Sequence, residues 1–135
     1  MKSLGSAAST RVATRTHRDL IVWKESMLLL ATAYRLAAKL PPVERYGLAS
    51  QLRRAAVSIP SNIAEGFGRR ANREMRHFLS IAEGSLRELQ TLLDAILVLD
   101  YMPAGAVDAA LENSNRVSYL MHRFRQSLVR KAASP

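Results

Sequence analysis

Two groupings in this chain contain residue types that can do chemistry. Glu74-Met75-Arg76-His77 is a Glu-x-x-His step, which sets a carboxylate and an imidazole on one helical face. That is the spacing of di-iron ligands in helical bundles. Such a centre needs a second copy and two further inward glutamates, and His17 and His122 stand in no such context. Arg73 and Arg76 also flank the single copy with positive charge. A solvated helix face is expected here, with no metal.

The second grouping is basic. Arg53, Arg54, Arg69, Arg70, Arg73 and Arg76 crowd a short stretch whose only acids are Glu65 and Glu74. Guanidinium groups at this density attract polyanions by releasing condensed counterions. The run Phe67–Arg76 also opens a predicted helix, where free N–H groups and the helix dipole favour a phosphate. Aromatic side chains for base stacking are scarce, so binding is expected to be electrostatic and nearly blind to base sequence. A competing reading is intramolecular, with Arg53, Arg54 and Arg76 paired to Glu65, Glu83 or Glu88 within the bundle or across a subunit seam.

Other reaction chemistry finds no footing. The chain has no cysteine, hence no thiolate nucleophile, disulfide or zinc knuckle. No hydroxyl stands in a pattern that pairs it with a base. Gly66-Phe67-Gly68 follows a helix rather than a strand, so it is not a phosphate-cradling loop of the familiar kind. No enzyme, no catalytic residue and no cofactor are expected.

At 135 residues, with 48% hydrophobic and 23% charged residues, the chain suits one globular domain. Its net charge of +9 sits at the two ends. Residues 1–18 hold Lys2, Arg11, Arg15 and Arg18 with no acid, and residues 116–135 hold Arg116, Arg123, Arg125, Arg130 and Lys131 with no acid. Between them the charges cancel. Residues 1–18 read as a flexible basic arm, and 19–131 as the folded domain. Neither a secretory signal nor a membrane-length apolar run stands out, so a cytoplasmic protein without a membrane partner is expected.

Four helical stretches position the arginines. The first, about 19–39, opens on a Thr16/Asp19 capping pair and carries Leu20, Trp23, Met27, Leu30, Tyr34 and Ala37 at steps of three and four. Pro41-Pro42 ends it. The second, 48–67, buries Leu48, Leu52, Ala56, Ile59, Ile63 and Phe67, with a kink expected at Pro60. The third, 72–100, starts at Asn72 as cap and runs through Met75, Leu79, Ala82, Leu86, Leu89, Leu93 and Ile96; Gly84 within it is expected to admit a close neighbour. The fourth, 104–131, follows Pro103. Short connections and no strand pattern give an all-α, up-down-up-down antiparallel four-helix bundle. Leu28-Leu29, Val57-Pro60-Ala64 and Leu92–Leu99 add more apolar surface than one such core covers, which points to a homo-oligomer.

Three runs carry a family resemblance: Asp19-Leu20-Ile21-Val22-Trp23-Lys24, Gln51 through Gly66 with its Ser58-Ile59-Pro60-Ser61-Asn62-Ile63-Ala64-Glu65-Gly66 core, and Phe78 through Leu89. Over roughly residues 19–125 the chain resembles the bacterial four-helix-bundle proteins encoded in intervening sequences of 23S rRNA genes. More distantly it is similar to the accessory variability-determinant protein of diversity-generating retroelements. The resemblance implies a ring-shaped homopentamer. The distant likeness implies a basic surface for RNA or DNA, or for a nucleic-acid-processing protein. On the family reading Asn62, Glu65 and Gly66 take structural parts, beside Pro60 and Gly84, whose parts follow from the helices themselves. Asn62 and Glu65 are expected to satisfy donors near the Pro60 kink, and Gly66 to permit close packing. The functional expectation is a non-enzymatic bundle contacting phosphates through Arg53, Arg54, Arg69, Arg70, Arg73 and Arg76. The alternative is a protein-interaction scaffold for an acidic or nucleic-acid-processing partner.

Overall fold

The computed structural model describes residues 16–133, so most of the basic arm expected over 1–18 lies outside the described residues. Four helices are present: α1 (Ile21–Ala38), α2 (Leu48–Phe67), α3 (Asn72–Val98) and α4 (Asp108–Ala133). Short 3-10 turns at His17–Asp19, Pro42–Glu44 and Ala104–Val107 precede α1, α2 and α4. No strand occurs among the described residues. No described helix is long and apolar enough to cross a membrane.

Each helix packs on the next, and α4 closes on α1. The pairing is antiparallel, because partner numbers rise on one helix as they fall on the other. Glu25 meets Arg116 at 3.1 Å on the α1–α4 seam, and Ser58 meets Ser85 at 2.7 Å on the α2–α3 seam. Gln90 reaches Ser114 at 3.0 Å while Glu83 reaches Arg125 at 3.1 Å between α3 and α4. The core is a stack of fully buried aliphatics, among them Leu29, Leu52, Ile59, Ile63, Leu79, Leu86, Leu89, Leu93, Ile96 and Met121. Each contributes roughly 1.5–3 kcal/mol by leaving water.

The α2 and α3 stripes sit as their spacing predicts, apart from half-buried ends at Leu48, Phe67 and Met75. The α1 stripe is rotated. Val22, Ser26, Leu29, Ala33, Leu36 and Ala37 face inward, whereas Met27 and Tyr34 are partly exposed. Leu29, read as surplus surface, is core, and so are Pro60, Leu92, Leu93 and Ile96. Ser26 tolerates burial because its hydroxyl donates to the Trp23 carbonyl at 2.7 Å, leaving no unpaired polar atom.

The helix ends differ from the spacing in small ways with clear causes. Thr16 and Asp19 do form a capping pair, with the Thr16 N–H donating to Asp19 at 2.9 Å, but they cap the 3-10 turn rather than α1 itself. α3 stops at Val98. Tyr101 N–H returns to the Ile96 carbonyl at 3.0 Å and Asp100 N–H to Leu97 at 3.0 Å, a Schellman closure. That closure needs a left-handed residue, supplied here by Asp100 at φ 58°.

Glu44 fastens the loop end of the bundle. One carboxylate oxygen accepts the Leu48 N–H at 2.9 Å, capping α2, and the other accepts the Tyr101 hydroxyl at 2.7 Å from the α3–α4 connection. Gly47 leaves room for this, since a Cβ there would stand 2.5 Å from Glu44 Oε1. The Leu48 N–H, and then the Tyr101 hydroxyl, hold the Glu44 carboxyl below its ordinary range, and the same bond raises the Tyr101 phenol. Folding thus weakens proton binding at Glu44. The stability it lends is complete above the unfolded carboxylate value of about 4.3 and drains away as pH falls through the lower folded value. Thermal melts across acid pH are expected to show the wild-type midpoint falling through that window, and Glu44→Gln to flatten the fall.

Candidate functional site

α2 ends at Phe67, and α3 begins five residues later at Asn72, so the chain reverses through a tight elbow. Gly66 makes the reversal possible. It is buried, and a Cβ on it would lie 2.9 Å from Phe78 Cβ and 3.2 Å from the Met75 carbonyl. Arg69 folds back over this contact. Its guanidinium pairs with Glu65 one turn earlier and lies 4.9 Å from the centre of the Phe78 ring. A shallow groove of about 450 Å³ opens beside it, lined by Arg69, Arg73, Glu74, His77 and Phe78.

Ala71 occupies the N-cap position of α3 and gives no side-chain hydrogen bond. Asn72, expected as the cap, is instead the first helical residue. The first N–H groups of α3 therefore have no side-chain acceptor at the cap, which leaves the positive helix end available to an anion. Glu74 and His77 do share a groove wall, with His77 edge-on to Phe78 at 5.5 Å. No third ligand joins them: among the described residues, no group of three His, Asp or Glu could hold a metal ion.

The six arginines divide into two sets. Arg69, Arg70, Arg73 and Arg76 cluster at the elbow, whereas Arg53 and Arg54 sit about four helical turns back along α2, on the order of 20 Å away. Among the described residues, Arg53, Arg54, Arg70, Arg73 and Arg76 form no ion pair. Glu65 is taken by Arg69, and Glu83 by Arg125 through two bonds of 3.1 Å. Pairing of Arg53, Arg54 or Arg76 with Glu65, Glu83 or Glu88 inside the chain, the competing reading, is therefore absent from the described structure.

The antiparallel topology adds cations that sequence proximity misses. The His17–Asp19 turn packs against α2, and the start of α1 shares a groove with Leu120 and Phe124 of α4. Arg18 thus comes toward the elbow end, while Arg123 stands level with the middle of α3, where the neighbouring Arg125 meets Ser80 and Glu83. Their only advance signal was the acid-free character of the two chain ends. Arg123 is held by Tyr119, its Nη1 donating to the phenol at 3.0 Å. The opposite end has the reverse character. Glu44, Asp94, Asp100, Asp108 and Glu112 gather there against Arg35, Lys39, Arg45 and Arg53, around Val43, Tyr46, Val98 and Leu99, which are 51–87% exposed.

The residues expected to shape the α2–α3 seam behave unequally. α2 runs unbroken through Pro60. Asn62 Nδ2 donates to the Ser58 carbonyl at 2.8 Å and to Ser58 Oγ at 3.0 Å, so it satisfies acceptors rather than the expected donors. Ser58 Oγ continues to Ser85 Oγ at 2.7 Å, which ties α2 to α3. Glu65 is exposed and serves Arg69, not the proline. Gly84 is exposed, with no atom within 4 Å of where a Cβ would stand, so it admits no close neighbour within the chain.

The solved structure of a protein of unknown function from the S23 ribosomal protein family of Bacteroides thetaiotaomicron VPI-5482 is similar in fold, with a TM-score of 0.72 over 78% of this chain and 98% of that one. Their identity is 18%, which extends the likeness to fold alone. No curated protein matches the chain. A family model described as 23S rRNA-intervening sequence protein matches residues 18–123, from the turn before α1 to well inside α4. With that span matched, the chain belongs to the 23S rRNA-intervening sequence protein family.

Proposed function

We propose that the protein is a non-enzymatic, cytoplasmic, homo-oligomeric bundle that binds RNA or DNA through its arginine-bearing end. The observation that carries this reading is the set Arg70, Arg73 and Arg76, unpaired among the described residues, beside an uncapped helix N-terminus. A phosphate at such a place meets guanidinium charge, free N–H donors and a favourable helix dipole together. Arg69 contributes as a braced member of the group, while Arg53 and Arg54 stand apart from it, several turns back along α2. Guanidinium charge dominates the set, so affinity depends weakly on sequence and strongly on salt. The test is a salt titration of binding to duplex DNA and single-stranded RNA, and a flat log–log plot ends this reading.

Assembly as a ring-shaped homopentamer belongs to the same proposal. Ile21 and Leu28, 60% and 55% exposed, lie two turns apart on α1 and leave an apolar stripe open. Apolar surface of this kind favours a second copy over water. Sedimentation equilibrium is expected to give five times the 15.0 kDa monomer mass, and a persistent 15.0 kDa species would refute assembly. The exposed Val43, Tyr46, Val98 and Leu99 favour a second reading, a scaffold for a nucleic-acid-processing protein. A partner retained after nuclease treatment would support it.

A further inference from the structure

A second concavity lies away from the elbow, over the first turns of α2. The outward positions of α2 there include the small Ser50, Val57 and Ser58, leaving a trough of about 570 Å³ flanked by Tyr34 of α1 and by Ser85 and Glu88 of α3. Arg53 and Arg54 both line it. They set two positive charges against one carboxylate in the trough, and neither is paired with a carboxylate among the described residues. Glu88 lines the same trough and is likewise unpaired there. Tyr34 and Val57, 41% and 39% exposed, supply a ring and an apolar edge.

We propose that this trough binds a nucleoside monophosphate unit. Its phosphate sits between Arg53 and Arg54, its base lies against Tyr34 and Val57, and Glu88 accepts a hydrogen bond from a ribose hydroxyl or an exocyclic amine. Each part of the lining then has a use. A bare phosphate would leave Tyr34 and Glu88 idle. An extended nucleic-acid backbone would drive further phosphates past the Glu88 carboxylate, which repels them. The ligand is thus compact, with one anionic group, one planar ring and one donor. A free nucleotide and the 5′-phosphorylated end of an RNA strand both fit. This inference does not depend on the elbow reading, because the two regions lie several turns apart.

Calorimetric titration of the full chain tests it with AMP, GMP, adenosine, inorganic phosphate and a short RNA bearing either a 5′-phosphate or a 5′-hydroxyl. At least one of the two nucleotides is expected to bind saturably in the micromolar to low millimolar range, and adenosine and phosphate alone at least about tenfold more weakly. Arg54→Gln and Tyr34→Ala are each expected to weaken that nucleotide by about tenfold at unchanged melting temperature, a factor set by one charge-assisted hydrogen bond or one stacked ring. Lys24→Gln, a neutralisation elsewhere on the surface, leaves binding unchanged. Preference for the phosphorylated strand over the free nucleotide, lost in Arg54→Gln, identifies a strand end as the source. The reverse preference identifies a free nucleotide. The proposal is overturned if neither nucleotide saturates below about 5 mM, if phosphate alone binds as well as the nucleotide, or if Arg54→Gln changes nothing.

Discussion

Gly66→Ala is expected to destabilise the protein by about 1–3 kcal/mol, seen as a lower urea midpoint and a melting temperature several degrees down. The direction opposes helix propensity, which favours alanine over glycine by about 1 kcal/mol. It follows from close packing. The added carbon would stand 2.9 Å from Phe78 Cβ and 3.2 Å from the Met75 carbonyl. Both atoms belong to or adjoin the backbone of α3, so no flexible side-chain tip can yield, and the helices must part. Gly84→Ala is the internal control. That site is exposed and open, so the same substitution is expected to stabilise by about 0.5–1 kcal/mol. A stable Gly66→Ala variant would remove close packing as the reason for glycine at the elbow. A destabilised Gly84→Ala variant would mean that a second copy rests on that face of α3.

The second large effect concerns binding. Converting Arg70, Arg73 and Arg76 together to Gln is expected to reduce affinity for duplex DNA on the order of a hundredfold at low salt. The slope of log affinity against log salt should shrink by about 0.9 for each phosphate that is no longer neutralised, or about three units in all. Arg69 is left in place because its guanidinium pairs with Glu65 and packs over Phe78, so its loss would disturb the elbow as well as the charge. The triple variant is expected to keep its melting temperature, since none of the three holds an ion pair among the described residues. An unchanged salt slope would show that the phosphates lie elsewhere.

Much of this architecture is legible in the residues, and the exceptions have physical causes. α2 and most of α3 show their inward faces because polar residues interrupt the apolar ones turn by turn up to Leu92. α1 does not: Met27 through Ala33 is apolar on all sides apart from Thr32, so spacing reveals a helix without revealing its phase. The better guide was the pair Ser26 and Ala33, two turns apart, whose small side chains let α1 approach its neighbours. The arginines illustrate a different gap. Arg53 and Arg54 looked like neighbours of Arg69 and Arg70, yet a continuous helix carries them several turns apart. Arg18 looked remote, yet antiparallel closure returns it toward the elbow. Linear distance is a poor measure of charge density in a bundle whose helices each span its length.

The unlike ends of the bundle constrain how copies could be arranged. Neighbours alternating up and down would interleave cationic and anionic ends and cancel both. Neighbours all pointing one way would instead make a two-faced disc, with guanidinium groups dominating one side and carboxylates mixed with fewer cations around bare apolar side chains on the other. Such a disc could lie flat on a strand with one side and hold a protein against its back, an adaptor built from a single repeated part.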